Sequence, residues 1–313
     1  MELIQFNHYP VMLNEAVEYL NINKNGIYCD LTLGGGSHSL EILKRLADGS
    51  GKLIAVDRDS DAVRYSEEKL KDYKDKLYIV KDNYVNIGKT VKNLGFEKIN
   101  GALIDLGVSS YQLEADRGFS YIKDSDLDMR MDREQKLTAS VIINTFDKNK
   151  LKEILYTYGE ERYSELIVRE IIKRRTEKPI ETTLELADII KYAVRNIRYD
   201  GGHPAKRTFQ AVRCAVNEEI GNIEPALDSV EQILESGGRL VAISFHSGED
   251  RTVKKCFAKY EKSCVCPPDF PVCVCEKRAT SKIITRKPLT PADWEIKENP
   301  RSESAKMRVL EKL

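Results

Sequence analysis

Three glycines, Gly34, Gly35 and Gly36, follow an apolar run and precede a helical pattern. Glycine is required where backbone approaches a ligand closely or takes a positive φ. Asp57 ends the next apolar run, where dinucleotide-binding folds place the acid that holds the ribose hydroxyls. The loop lacks the third glycine of G-x-G-x-x-G, which a cofactor without a pyrophosphate does not need. An adenosine cofactor is therefore expected, and S-adenosylmethionine and a nicotinamide nucleotide both stay open. An ordinary tight turn at the glycines and a helix-entry acid at Asp57 are the bland alternatives.

Asp105 leaves a further apolar run as Ile104-Asp105-Leu106-Gly107. A carboxylate at a strand exit can accept the N–H bonds of a target amine, or cap the following turn. Ser109 follows closely. His38 in the glycine loop and His246 after a late apolar run can both exchange a proton near neutral pH. His246 reads equally well as a turn-stabilising residue, while for His38 loop structure or a cofactor contact is favoured over proton transfer. Cys264, Cys266, Cys273 and Cys275 stand in two C-x-C pairs around a proline-rich turn. Four thiols so close together are enough for a structural zinc, with reduced or redox-bridged thiols as the other reading.

The elements that must position these groups alternate. Strands are expected at 27–33, 52–57, 77–80 and 99–106, with helices at 40–47 and 60–73 between them and Ser60 as the N-cap. That rhythm predicts an α/β, doubly wound Rossmann-like sheet with ligands at the carboxyl ends of its strands. From Gly107 to Arg133 the chain is rich in Gly, Ser and Asp and reads as a long ordered loop. Helices follow at 151–158, 164–175, 184–195 and 207–220, and the α/β pattern resumes with a helix at 226–234 and a strand at 239–245. The expected organisation is a core from 1–112 and 216–313 interrupted by a helical insertion, 113–215, that recognises substrate.

The 313 residues carry 50 basic and 50 acidic side chains, so net charge is uninformative. From Arg251 onward, however, 15 Lys/Arg stand against 8 Asp/Glu. That tail is a candidate phosphate-facing surface, or simply a solvated one. No apolar stretch approaches membrane-helix length, the first residues lack a signal-peptide layout, and the seven cysteines form no evenly spread framework. A cytoplasmic location and no membrane partner are expected.

Ordered blocks along nearly the whole chain then narrow the reading. They run from His8 to Ala16, Gly34 to Ser39, Asp57 to Asp59, Asp105 to Ser110 and Arg117 to Ser120. They continue at Leu127–Asp132, Thr157–Arg162, Arg207–Arg213, Gly237–Leu240 and Ser244–Ser247. With these blocks the chain closely resembles the 16S ribosomal RNA cytosine-N4 methyltransferases, the MraW family. The resemblance implies a class I methyltransferase fold with a helical insertion, and methyl transfer from S-adenosylmethionine to one cytosine in the decoding region of 16S rRNA. It implies cofactor contacts at Gly34, Gly36, Ser37, His38, Asp57, Tyr84, Asp105 and Gln112, with Asp105, Ser109 and His246 as catalytic candidates. Substrate RNA would meet Arg117, Arg130, Lys206 and Arg207, and Phe119 and Arg133 are further candidates in the long loop. Met129 and Met131 read as core. Partners would be 16S rRNA, within the 30S subunit, and a homodimer is compatible. Ser37 departs from the glycine common in the family, and Tyr111, Lys206 and Gly248 are further departures. A non-catalytic assembly factor on the same fold is the competing reading.

Overall fold

In the computed structural model, residues 10–109, 112, 113, 115–197, 202–264, 266 and 274–313 are described. The chain divides into two compact units, Met1–Gly107 with Gly221–Leu313, and Val108–Ile220.

The first unit opens with α1 (Leu13–Tyr19), then alternates β1 (Ile27–Asp30), α2 (Ser37–Leu46), β2 (Lys52–Asp57), α3 (Ser60–Lys69), β3 (Leu77–Lys81), α4 (Ile87–Asn93) and β4 (Ile99–Asp105). Strands β1, β2 and β4 are short, apolar and mostly buried, as parallel strands flanked by helices must be, and the edge strand β3 is half-buried. The N-cap of α3 is Asp59 rather than the expected Ser60: its carboxylate accepts the Asp61 amide at 3.0 Å. A carboxylate beside the positive end of the helix is the stronger acceptor.

After the second unit the chain continues with α10 (Glu219–Ile233), β5 (Leu234–Ser244), α11 (Ser247–Glu261), β6 (Ser281–Ile283), α12 (Asp293–Glu298) and β7 (Lys306–Lys312). Strand β5 starts earlier than expected. Gly237 and Gly238 do not precede it but sit inside it, where the register against β4 shifts between Ile99 and Gly101. Gly237 has φ 79°, and a side chain at Gly238 would strike the Glu235 and Asn100 carbonyls, so the bulge needs both glycines.

The seven strands stand in the order β3-β2-β1-β4-β5-β7-β6, parallel except for β7, which runs antiparallel to β5 and β6. Strands β2 and β3 lie on one side of β1, and β4 and β5 on the other. The winding reverses between β1 and β4, and such a switch point opens a crevice at the carboxyl ends. The glycine loop leaves β1 there and Asp105 leaves β4. Beneath them Tyr28, Leu53, Ala55, Leu103, Val241 and Ile243 form part of a buried core.

The second unit is helical: α5 (Ala139–Thr145), α6 (Lys148–Gly159), α7 (Ser164–Glu177), α8 (Thr183–Ala193) and α9 (Ala205–Asn217). Thr138, Asp147 and Thr182 cap α5, α6 and α8, the last in a capping box with Glu185. Its core joins Ile142, Leu155, Ile167, Leu186 and Val212 to loop residues Phe119, Leu127, Met129 and Met131. Met129 and Met131 are thus core residues. So is Phe119, at 5% exposure, which removes it as a stacking platform for RNA bases.

Candidate active site

The glycine loop is held from two sides. Gly34 and Gly36 take φ of 48° and 69°, a region in which a side chain costs about 1–2 kcal/mol. The Gly34 amide donates to Asp57 Oδ2 at 2.8 Å, and the Asp59 amide donates to Asp57 Oδ1 at 2.9 Å. Burial pushes the Asp57 carboxyl up to about 6 despite those hydrogen bonds. From α3, the Ser66 hydroxyl donates to the Gly34 carbonyl at 2.9 Å, and Lys69 Nζ donates to the Gly35 carbonyl at 2.6 Å. Lys69 also donates to Ser37 Oγ at 3.1 Å. The serine that departs from the family pattern is therefore a partner of this lysine. Ser66 and Lys69 were missed from the sequence, where each reads as an ordinary helix residue. Their spacing, i and i+3 on one helix face, was the only available signal.

Asp105 is tied to the same loop, since its amide donates to Thr32 Oγ1 at 2.7 Å. Asp30, 1% exposed at the end of β1, accepts from Ser39 Oγ at 2.7 Å and from the Thr32 amide at 3.1 Å. Of the two Asp105 oxygens, Oδ1 is buried with no hydrogen-bond partner, and Oδ2 lies 4.0 Å from His38 Nδ1. Burial, with the nearby Asp30 and Glu249 carboxylates, raises Asp105 well above the usual carboxylate range. His38 is 6% exposed with Nε2 3.1 Å from the Val11 carbonyl, and burial lowers it to about 4.

His246 is occupied differently. It is the N-cap of α11, with Nδ1 accepting the Gly248 amide at 3.2 Å and Nε2 3.2 Å from Glu249 Oε1. Glu249 Oε2 in turn accepts the amides of Phe245 and His246. This is the turn-stabilising role that its sequence position allowed. Tyr84, 9% exposed, begins a 3-10 turn just beyond β3.

Ser109, Gln112, Arg117, Arg130, Lys206 and Arg207, named from the sequence, belong to the second unit. Ser109 and Gln112 bond each other: the Ser109 amide donates to Gln112 Oε1 at 3.1 Å, and the Gln112 amide to Ser109 Oγ at 3.2 Å. Gln112 is 6% exposed. Ser110 and Tyr111 between them lie outside the described residues, as do His8 and Cys273. Arg117 and Arg130, expected to meet RNA, have another task here. Arg117 is 3% exposed and its Nη2 donates to the Arg130 and Met131 carbonyls at 2.7 Å each. Arg130 pairs with Asp128 and donates to the Arg133 and Gln135 carbonyls. A loop without secondary structure must satisfy its carbonyls, and guanidinium groups do so here. Asn217 completes the arrangement, accepting the Met131 amide and donating to the Met129 carbonyl. Lys206 is exposed and Arg207 half-buried at the start of α9.

Part of the basic tail is also committed. Lys259 pairs with Glu224 and Asp228, Arg286 with Glu261, Lys306 and Arg308 with Asp250, and Lys312 with Glu231. For Lys259, Lys306, Arg308 and Lys312 the acids stand before residue 251. Among the described residues, no helix is long and apolar enough to cross a membrane.

Comparison with known proteins gives a full-length match. The model of the MraW methylase family matches residues 5–313. The ribosomal RNA small subunit methyltransferase H of Lachnospira eligens is 48% identical over 313 residues, 99% of each chain. That of Clostridium botulinum (strain 657 / Type Ba4) is 50% identical over 311 residues, 99% of this chain and 100% of the relative. The Carboxydothermus hydrogenoformans protein of the same name is 47% identical over 311 residues, covering 99% of both chains.

Proposed function

The chain belongs to the MraW methylase family, and on that footing we propose that it methylates the exocyclic N4 of a cytosine in the decoding region of 16S rRNA. The observation that carries the reading is Asp105. A buried carboxylate oxygen with no partner stands at the strand exit, on a residue bonded through Thr32 to the glycine loop.

S-adenosylmethionine supplies an electrophilic methyl group on a sulfonium. The residues fit it. A Cβ at Gly34 would meet only the Thr32 carbonyl, at 3.8 Å, so the space over that glycine is open. Each Asp57 oxygen has one lone pair engaged by an amide and keeps another for a ribose hydroxyl. Gly34, Gly36, Ser37, His38, Asp57, Tyr84, Asp105 and Gln112 are the residues assigned to it.

Cytosine N4 is a poor nucleophile because its lone pair is delocalised into the ring. Asp105 is assigned to accept an N–H bond and hold the nitrogen so that its lone pair faces the methyl, in line with the bond that breaks. Ser109 orients the base. The cytosine must be drawn out of its stack, because N4 lies on the pairing edge. Lys206 and Arg207 are assigned to the RNA backbone. The reading places the enzyme in the cytoplasm on the 30S subunit, and is compatible with one copy or a homodimer.

Methyl-labelled S-adenosylmethionine incubated with 30S subunits that lack the modification tests this. Labelled N4-methylcytidine among the nucleosides is the expected result. Cofactor binding without label transfer would favour the non-catalytic assembly factor.

A structural zinc belongs to the same reading. The Sγ atoms of Cys264, Cys266 and Cys275 all lie within 4.8 Å of one another, and those of Cys264 and Cys275 are 3.8 Å apart. A tetrahedral zinc with bonds of about 2.3 Å sets its sulfurs about 3.8 Å apart. Such a metal would fix the chain after α11 and take no part in methyl transfer.

A further inference from the structure

Phe119 is buried, but two residues further on the chain turns outward. Ser120 Oγ accepts the Ile122 and Lys123 amides at 3.2 and 3.3 Å. This tight turn holds up Ile122, which at 77% is the most exposed large hydrophobic side chain among the described residues. Tyr121, half-buried, lies flat on His203, with ring centroids 4.6 Å apart and planes 18° apart. Phe209, from the core of the second unit, meets Tyr121 edge-on at 5.7 Å and anchors the pair. The start of α9 fixes the other ring. The Ala205 amide donates to His203 Nδ1 at 3.2 Å, and the Lys206 amide donates to the His203 carbonyl at 3.0 Å. Because Nδ1 accepts, the ring proton sits on Nε2. Lys206, in the first turn of α9, is exposed and forms no ion pair among the described residues. Acids of the same region are engaged: Asp116 pairs with Lys123, Asp188 pairs with Lys191, and Asp124 accepts the Leu184 amide. All of these residues belong to the second unit.

We propose that the Tyr121–His203 stack, with Ile122 beside it, is a docking surface for unstacked bases of the substrate RNA, and that Lys206 neutralises a phosphate next to them. This rests on the methyltransferase reading and adds where the nucleotides are held. Drawing a cytosine out of its stack leaves the flanking bases with uncovered faces. RNA-binding proteins cover such faces with aromatic side chains, and every base has a face to offer. The two rings are fixed by the core and by α9 before RNA arrives, so little ordering remains to be done on binding. One exposed isoleucine and one ring pair form too small an apolar area for a stable protein interface, but match the faces of one or two bases. Water gains Ile122 nothing, and a base laid over it removes that apolar surface from solvent. His203 Nε2 adds a hydrogen-bond donor at the edge of the stack.

Two measurements test this. In the first, short single-stranded RNAs copying the decoding region carry 2-aminopurine at successive positions, whose fluorescence falls when that base stacks on a ring. Wild type should quench at one position or more, Tyr121→Phe should quench as strongly, and Tyr121→Leu should not quench. In the second, affinity for 30S subunits that lack the modification is measured across salt concentrations, with thermal melts to show that each variant is folded. Tyr121→Leu and Ile122→Ser should each bind about tenfold more weakly with the wild-type dependence on salt. Lys206→Ala should instead reduce that dependence by about one counterion. Ile122→Ser changes an exposed side chain, so its result stands whether or not Tyr121→Leu folds. Wild-type affinity in Ile122→Ser overturns the proposal, as does quenching that persists in Tyr121→Leu or is absent in wild type. Wild type that binds RNA in the expected pattern but transfers no methyl would instead fail the methyltransferase reading and leave the docking surface standing.

Discussion

The Gly34 amide and the Asp57 carboxylate, 23 residues apart in sequence, are joined by a 2.8 Å hydrogen bond. The acid expected to grip a ribose thus also grips the loop expected to receive the cofactor. A change at either residue reaches the other through that bond.

Asp57 should leave a signature in stability against pH. Its folded value, about 6, lies above the ordinary 3.8. Between those values the unfolded chain has released the proton and the folded chain retains it, so stability falls as pH rises through the window and levels off above it. Chemical denaturation of wild type and Asp57→Asn at several pH values should show wild type losing ground to the variant from about pH 4 to 6. A difference independent of pH would contradict the assignment.

The two loop glycines should separate on substitution. Gly34→Ala faces open space and should cost about 1–2 kcal/mol of stability from its backbone alone, with a large loss of cofactor affinity because the methyl fills the cradle. Gly36→Ala brings a Cβ within 2.9 Å of Ser66 Oγ and should lose more stability. Thermal melts beside calorimetric titration measure both.

Ser66 and Lys69 never need to touch the cofactor for their loss to be felt. Removing the two bonds that fix the loop carbonyls, in Ser66→Ala with Lys69→Met, should weaken cofactor binding about tenfold with melting little changed. Unchanged affinity would mean that the Asp57 bond is sufficient.

Arg117→Lys keeps the charge and loses the planar guanidinium whose Nη2 donates to two carbonyls. The structure predicts a destabilisation of about 2–3 kcal/mol in urea unfolding, with RNA affinity unchanged per folded molecule. Lower affinity at unchanged stability would return Arg117 to the RNA interface.

Purified protein should carry about one zinc per chain, and Cys275→Ser should lower that content. Removing the metal with a chelator should expose the segment after α11 to protease and spare methyl transfer in the short term. Zinc no higher than background would leave the thiols reduced.

The alternating strands and helices, the glycine loop, Asp57 and Asp105 were legible in the residues because each is a local pattern. A short apolar run, a turn that needs glycine and a carboxylate at a strand end are written within a few positions of one another. Strand β7 was not legible. Its charged residues interrupt the apolar pattern, and Arg308 is tolerated there, 7% exposed, because Asp250 of α11 accepts from its Nε and Nη2. Arg117 and Arg130 look the same in sequence whether they face phosphate or hold a loop, since a guanidinium serves either purpose. His38 reads in sequence as a loop or cofactor contact and His246 as a catalytic candidate, and folding sets the first 4.0 Å from Asp105 and makes the second a helix cap. Residue types and short spacings therefore determined the fold class and the kind of cofactor. The partners of each polar group depend on which distant segments meet, and only the folded chain decided those.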